Sequence, residues 1–235
     1  KNIGEPTNLK VMKENFLPDT ERRADLISKY LQKNQTILDV GSGYGFFLKE
    51  MQKRGYDIAG IEISKERRKI SAGITKAKVL DINLYEDDSS LPRFDWITLF
   101  HVLEHINDPV HFLKIIKKHL NPNGKLIIEV PNLDDILLDA SKEYRNFFWQ
   151  RAHLLYFNAQ TLKKAVQKSG LSTLDIFYLQ RYGIDNFMNW FILGKPQLKR
   201  PIFQTKSPYK WLEDYYKKYL SETGKSDTLV LIAKR

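Results

Sequence analysis

Ile37-Leu38-Asp39-Val40-Gly41-Ser42-Gly43-Tyr44-Gly45-Phe46-Phe47-Leu48 constrains this chain more than any other stretch. An apolar run of β type ends in a cluster of glycines. An amphipathic helical pattern follows, in which Phe47, Leu48 and Met51 share a face and Gly55 supplies the stop. A strand, a Gly-rich turn and a helix in that order make a nucleotide-binding crossover, because glycine lets the backbone approach a ligand and the helix N-terminus offers free N–H groups. The spacing excludes two common versions of it. A dinucleotide fingerprint asks for glycine where Phe46 stands, and no Lys-Ser or Lys-Thr follows to make a phosphate-binding P-loop. Asp39, two positions before the first glycine, suits a ligand carrying an ammonium group better than one carrying a pyrophosphate.

Around this stretch, strand patterns alternate with helical ones. Strands are expected at Thr36–Val40, Asp57–Ile63, Lys78–Leu80, Phe94–Phe100, Lys125–Val130, Ser172–Leu179 and Thr228–Ala233. Pro18-Asp19-Thr20 reads as the opening of a helix that runs to about Lys33, behind a polar lead-in. Further helices are expected up to Arg54, at Lys65–Ala72 behind a Ser64 cap, from Pro109 behind an Asp108 cap, and from Asn158 to Ser169 with Gly170 as the stop. Asn121-Pro122-Asn123-Gly124 reads as a turn and residues 132–157 as a long aromatic-rich connection. The alternation predicts an α/β fold, a doubly wound, mostly parallel, Rossmann-like seven-stranded sheet with helices on both faces. An insertion at about 181–225 precedes the last strand. It carries the apolar patch Phe187–Leu193 and a helix opened by Ser207-Pro208, on which Trp211, Leu212, Tyr215, Tyr216, Tyr219 and Leu220 form one broad apolar face.

Composition narrows the classes. The 235 residues, 42% hydrophobic, suit one α/β domain with additions. No apolar run approaches the roughly 20 residues that span a bilayer, and Lys1–Pro6 lacks the apolar core of a signal peptide. The absence of cysteine excludes disulfides, thiolate metal sites and a Cys nucleophile, and agrees with a cytoplasmic location. A net charge of +10, spread along the chain, attracts anionic partners: a phosphorylated or nucleotide-linked small molecule, nucleic acid, or an anionic membrane surface. It serves solubility equally well.

In a doubly wound sheet, ligands sit beyond the carboxyl ends of the strands. Gly41, Ser42, Gly43 and Gly45 follow the first strand. Glu62, with Ile63 beside it, stands at the end of the second, about 20 residues past the first glycine, where a carboxylate can accept both ribose hydroxyls. Asp81-Ile82 follows the third, where a carboxylate can take an adenine amino group and Ile82 can cover the ring. Phe100-His101-Val102-Leu103-Glu104-His105 follows the fourth.

Asp39 with Gly41, Gly43 and Gly45, then Glu62, Asp81-Ile82, His101–His105 and Pro122–Lys125 together resemble the successive motifs of the class I S-adenosylmethionine-dependent methyltransferases. Phe94–Ile97, His101–His105, Asn107-Asp108-Pro109 and Arg151–Asn158 are similar to signatures of a bacterial small-molecule subgroup, some of whose members act in quinone or cell-surface sugar biosynthesis. The resemblance implies a single methyltransferase domain over residues 1–235, with an N-terminal helix within 1–34, a cofactor-binding core at 35–131, a substrate-side loop at 132–157 and a C-terminal part at 158–235. It implies S-adenosylmethionine as cofactor, S-adenosylhomocysteine as product, and Asp39, Gly41, Ser42, Gly43, Gly45, Glu62, Ile63, Asp81, Ile82, Phe100, His101 and Val102 as cofactor contacts.

For a hydroxyl acceptor a base removes the proton, and His105 and His153 are the candidates; His111 and His119 read as surface or packing residues. Arg151, Trp149 and Tyr156 are candidate substrate contacts, with Arg145 a second cation for a substrate phosphate. His101-x-x-Glu104-His105 matches a zinc-protease pattern, but that pattern needs both histidines one turn apart on a long helix, so no metal is expected. The aromatic stretches 144–157 and 187–193 fit the wall of an acceptor pocket or a homodimer contact. The expected activity is methyl transfer, most simply O-methylation, to a small anionic acceptor of sugar or nucleotide-linked sugar type. A nucleic-acid methyltransferase is the first alternative. It lacks support from an Asn-Pro-Pro-Tyr motif or a cysteine nucleophile. A non-catalytic binding module that keeps the fold is the second.

Overall fold

The computed structural model of the protein describes residues 9–86, 91–196 and 209–235. Its strands are β1 (Thr36–Val40), β2 (Asp57–Ile61), β3 (Val79–Leu80), β4 (Phe94–Phe100), β5 (Leu120–Pro131), β6 (Ser172–Leu179) and β7 (Thr228–Lys234). They form one seven-stranded sheet in the order β3-β2-β1-β4-β5-β7-β6. β1, β2 and β3 run parallel, while β7 is antiparallel to both β5 and β6. This is the Rossmann-like sheet expected from the alternation, with its reversed strand inserted late. The chain divides into two compact units, Lys1–Thr98 with Lys118–Gly124, and Leu99–Lys117 with Lys125–Arg235.

In the first unit, β1 buries Ile37, Leu38 and Val40 together with Asp39. Helix α2 (Phe46–Lys53) buries Phe47, Leu48 and Met51, the face set by its apolar spacing. Helix α3 (Lys65–Ile74) begins at the expected cap, with the Ser64 hydroxyl accepting from the Arg67 amide. Asp95 fastens β4 to its surroundings, accepting from the amide and hydroxyl of Thr36 and from the side-chain amide of Asn121.

The first helix departs from the sequence expectation. α1 spans Leu9–Ser28 with Pro18 inside it, so Pro18-Asp19 does not open the helix and the helix ends before Lys33. An internal proline removes a backbone hydrogen bond and crowds the preceding turn. Packing on both sides of it offsets that cost: Phe16, 42% exposed, lies 5.8 Å from Tyr44 and 5.9 Å from Phe46 between ring centres, and Ala24 and Ile27 are fully buried.

In the second unit, Glu129 and the apolar residues of β5 are buried, and β7 is buried from Thr228 through Ala233 because strands flank it on both edges. Helix α4 (Pro109–Lys118) starts at its Asp108 cap, which accepts from the His111 amide. Helix α7 (Ala159–Lys168) carries the Asn158–Thr161 capping box, and Gly170 at φ 81° follows it. Asn121–Gly124 runs within β5 rather than forming a separate turn.

The stretch 132–157 is not a plain connection. It holds two short helices, α5 (Ile136–Ala140) and α6 (Lys142–Phe148), capped by Asp135 and Ser141. The insertion holds α8 (Ile184–Leu193) and α9 (Lys210–Thr223). The two aromatic stretches meet: the Trp190 ring lies 5.2 Å from Tyr144 and 5.1 Å from Phe147. On α9 only Leu220 is buried, while Trp211 and Tyr215 are each 64% exposed. The expected opening at Ser207-Pro208 lies outside the described residues. Among the described residues no helix is long and apolar enough to cross a membrane.

Candidate functional site

The glycine turn after β1 takes left-handed backbone at Gly41 (φ 76°), Gly43 (φ 55°) and Gly45 (φ 78°), which only glycine adopts without strain. The positions are not equivalent. A Cβ on Gly45 would stand 2.2 Å from the Ser71 hydroxyl, whereas one on Gly43 would meet nothing within 4 Å. A side chain at Gly45 would therefore crowd Ser71 of α3, whereas Gly43 borders open space. Ser42 is buried, and its side chain faces Gly60, where an added Cβ would meet its hydroxyl at 2.7 Å.

The carboxylates expected to serve the cofactor hold different surroundings. Asp39 is buried and accepts from the Thr98 hydroxyl at 2.6 Å. Burial raises its pKa to about 7, with Thr98 and Arg23 pulling the other way. Glu62 is buried and braces the turn, accepting from the Gly43 amide with one oxygen and the Ser64 amide with the other, both at 2.8 Å. Each carboxylate oxygen keeps a second lone pair for a ligand hydroxyl. Asp81 is exposed and paired with Arg68, whose other terminal nitrogen donates to the Glu62 carbonyl. Ile63, beside Glu62, is 70% exposed, and Ile82 is half-buried. Arg68 and Thr98 escaped the sequence reading. The run of basic residues on α3 was the only signal for Arg68, and nothing local marks Thr98.

The chemistry of these residues suits a sulfonium nucleoside carrying an amino-acid tail. Asp39 is a buried acid whose ionised form needs a cation, open space lies over Gly43, and an apolar side chain stands exposed beside Glu62.

The second unit holds the histidines. Past β4, His101 adopts φ 55°, the only left-handed non-glycine among the described residues. That conformation is strained. Its ring joins two buried glutamates from different elements, with Nδ1 at 3.1 Å from Glu104 and Nε2 at 3.4 Å from Glu129; Arg181 approaches Nε2 at 3.1 Å. Burial lowers the His101 pKa, the two glutamate hydrogen bonds raise it, and the net direction is upward. Phe100 is buried and Val102 half-buried.

Leu103–His105 forms a single 3-10 turn, not a long helix, so the zinc-protease geometry does not form. The turn brings in His153 instead. The amides of Leu154 and Leu155 donate to the Glu104 carbonyl, and the His105 Nδ1 lies 2.7 Å from the Ala152 carbonyl. The rings of His105 and His153 pack edge-on at 4.9 Å. Burial, followed by the nearby His105 and His101, lowers the His153 pKa against the pull of Glu104. The two candidate bases are thus together, though nothing in the sequence links positions 48 residues apart.

The candidate substrate contacts divide. Tyr156 lies 5.5 Å from the His153 ring and 4.6 Å from Trp149, and its hydroxyl braces the loop by donating to the Phe148 carbonyl and accepting from the Gln150 amide. Trp149 is half exposed, and Arg151 is exposed. The Arg145 Nε–H donates to the Leu138 carbonyl, so this arginine is anchored to its own loop. His111 begins α4, and His119 is buried with Nδ1 against the Leu91 carbonyl, as packing residues would be.

Comparisons with known proteins bear on the fold and the family. A family model described as a methyltransferase domain matches residues 14–176. A ubiquinone biosynthesis O-methyltransferase from Coxiella burnetii is 30% identical over 105 residues, covering 43% of this chain and 45% of that protein. The chain thus matches about half the length of this curated relative. A SAM-dependent methyltransferase from Archaeoglobus fulgidus superposes with a TM-score of 0.64 at 18% identity, covering 96% of this chain and 98% of that one. The 1,6-didemethyltoxoflavin-N1-methyltransferase of Burkholderia thailandensis, solved with S-adenosylhomocysteine bound, superposes with a TM-score of 0.56 at 14% identity, covering 92% of this chain and 77% of that one. With the family model spanning residues 14–176 and the sheet order and glycine turn described above, the chain belongs to the methyltransferase-domain family, with the fold of the class I S-adenosylmethionine-dependent enzymes.

Proposed function

We propose that the protein is an O-methyltransferase acting on a small, anionic, hydroxyl-bearing acceptor. The observation that carries this reading is the pairing of His105 with His153, one imidazole exposed and the other held below its ordinary pKa, beside the rings of Tyr156 and Trp149. An imidazole that stays neutral near pH 7 is ready to accept a proton from a hydroxyl.

S-adenosylmethionine supplies the sulfonium methyl group. Asp39 would hold its ammonium, Glu62 its ribose hydroxyls, Asp81 and Ile82 its adenine with Ile63 against the ring, and Gly41, Ser42, Gly43 and Gly45 would give the backbone access. Phe100, the last residue of β4, and His101 and Val102 after it are read as contacts of the same cofactor. The thioether that departs, S-adenosylhomocysteine, is a good leaving group, so alignment does much of the work and the chain's residues mainly orient and deprotonate the acceptor. His105, fixed by its bond to the Ala152 carbonyl, presents its other nitrogen as the acceptor of that proton. Arg151 and the net charge of +10 favour an anionic acceptor, and Trp149 offers a planar surface for an aromatic one. Both a sugar or nucleotide-linked sugar and a hydroxyl-bearing quinone precursor meet this description; the curated relatives are named for ubiquinone biosynthesis, which favours the quinone precursor. The domain is read as one catalytic unit over residues 1–235, a cytoplasmic location is the accompanying expectation, and the exposed aromatics of α8 and α9 leave a homodimer contact open to test.

The test is methyl transfer from labelled S-adenosylmethionine to two panels, catechol or hydroxybenzoate quinone precursors and nucleotide-linked sugars. Transfer to oxygen in either panel supports the reading and chooses the class. Transfer to nucleic acid in place of both would replace it with the nucleic-acid alternative. Tight product binding with no transfer to any acceptor class would favour a binding module.

A further inference from the structure

We propose that Arg68 is a positioning residue for the base of the cofactor: its guanidinium holds Asp81 ready to accept the adenine amino group, and so sets a preference for adenine over a base with oxygen at the same ring position. The inference rests on the assignment of Asp81 to adenine made above, and names the residue on which that contact depends.

The sheet alone does not fix Asp81. The ladder between β2 and β3 is two residue pairs long, Gly60 with Val79 and Ile61 with Leu80, followed by a bond from the Glu62 amide to the Leu80 carbonyl at 3.2 Å. Asp81 is the first residue beyond β3, and its side chain is 66% exposed. A carboxylate in that position, left to itself, samples several rotamers in water. A ligand that needs one of them bears the cost of ordering it.

Arg68 removes that freedom. It lies in the first turn of α3, where its amide donates to the Ser64 carbonyl at 3.0 Å behind the Ser64 cap. Its side chain is only 18% exposed and forks between two acceptors. One terminal nitrogen donates to the Glu62 carbonyl at 2.6 Å, and the other donates to the Asp81 Oδ2. An ordinary surface ion pair does little, because two long side chains must be ordered to make it. Here the guanidinium is already anchored on main chain at the end of β2, and its planar fork aims the second nitrogen in one direction. The pair engages Oδ2 and leaves the lone pairs of Oδ1 for a donor. An amino group is such a donor, whereas an oxo group is an acceptor that a carboxylate repels. Ile63 and Ile82, next in sequence to Glu62 and Asp81, offer apolar surface for the ring, Ile63 being 70% exposed. The same arginine grips the backbone of Glu62, the residue assigned to the ribose, so one fork braces both parts of the nucleoside contact.

The experiment is calorimetric titration of the full chain with S-adenosylhomocysteine and with S-inosylhomocysteine, which carries an oxo group in place of the adenine amino group. The wild type should prefer the adenine ligand by at least about tenfold, since a site made to accept a hydrogen bond rejects the analogue that cannot donate it. Arg68→Ala should bring the two affinities within about threefold of each other, through weaker S-adenosylhomocysteine binding, because the carboxylate must then be ordered by the ligand. Asp81→Asn should also abolish the preference, since its amide can turn either its oxygen or its nitrogen to the base. Adding Arg68→Ala to Asp81→Asn should change the ratio by less than about twofold, as expected for a residue that acts through Asp81. Circular dichroism establishes that each variant is folded, and Arg68→Gln replaces Arg68→Ala if that variant is not. An unchanged ratio in the Arg68 variant, an equal loss of both ligands, or a further change in the double variant overturns the proposal. No binding of S-adenosylhomocysteine to the wild type refutes the cofactor reading and this inference together; binding with an unchanged ratio refutes this inference alone.

Discussion

Replacing Asp39 by Asn should stabilise the ligand-free protein and weaken the cofactor, and the size follows from the burial of one carboxylate. Burial raises its pKa from 3.8 to about 7. A rise of that size corresponds to about 4 kcal/mol, an upper bound for a buried group. The sign is fixed by linkage. The folded chain keeps a proton on Asp39 that the unfolded chain releases between pH 4 and 7, so this group's stabilisation is complete below pH 4, falls as pH rises to about 7, and is flat above. Asn cannot ionise, and its carbonyl oxygen still accepts from the Thr98 hydroxyl, which in the wild type stands 2.6 Å from the carboxylate. Urea unfolding of wild type and Asp39→Asn at pH 5, 6, 7 and 8 should show a difference of about 1–2 kcal/mol in favour of Asn at pH 5 that grows to about 4 kcal/mol at pH 8. Equal midpoints across the range, or a less stable variant at pH 8, would refute the argument that this acid is held against its own solvation. The same substitution removes the proposed partner of the cofactor's ammonium, so the gain in stability comes with a loss of binding, as functional sites commonly arrange.

Three further outcomes follow from the geometry. Gly45→Ala should cost at least 2 kcal/mol of stability by denaturant unfolding, since it combines left-handed strain of about 1–2 kcal/mol with a clash against Ser71, whereas Gly43→Ala should cost about 1 kcal/mol and act mainly on product affinity. Replacing both His105 and His153 by Gln should lower kcat by about 10²–10⁴ with S-adenosylhomocysteine affinity unchanged in calorimetry; unchanged turnover would remove the histidines from the chemistry. Trp190→Ala should cost about 3–5 kcal/mol in urea unfolding, because this buried ring joins Tyr144 and Phe147 to α8; a cost below 1 kcal/mol would mean that the two aromatic stretches do not stabilise each other.

What could be read from the sequence depended on how far each interaction reaches along the chain. β1, β4 and β6 fall where the sequence puts them, because short β-type runs bounded by turn residues are written locally, although β1 and β4 are buried almost throughout and β6 only partly. The Ser64, Asp108 and Asn158 caps were legible for the same reason. Pro18 misled because proline followed by a capping residue ordinarily marks a helix start, and only the packing of Phe16, Ala24 and Ile27 shows why the helix continues through it. α5 and α6 are too short to display a helical period, although Asp135 and Ser141 were their available signals. In the site, the glycines and acids were legible as residue types, but the burial of Asp39 was not. The Arg68–Asp81 pair, the Thr98 bond and the meeting of His101 with Glu129 and Arg181 all join distant positions, and no local pattern announces them. His153 was singled out for its chemistry, while its place against His105 came only from the fold.

The account stands on the hollow around Asp39, Gly43 and Glu62 holding S-adenosylmethionine. Calorimetric titration of the full chain with S-adenosylhomocysteine at pH 8, beside Asp39→Asn, tests it most directly. The account predicts saturable one-to-one binding to the wild type and binding weakened at least tenfold in the variant. No heat at millimolar ligand, or equal affinity in both proteins, would contradict it.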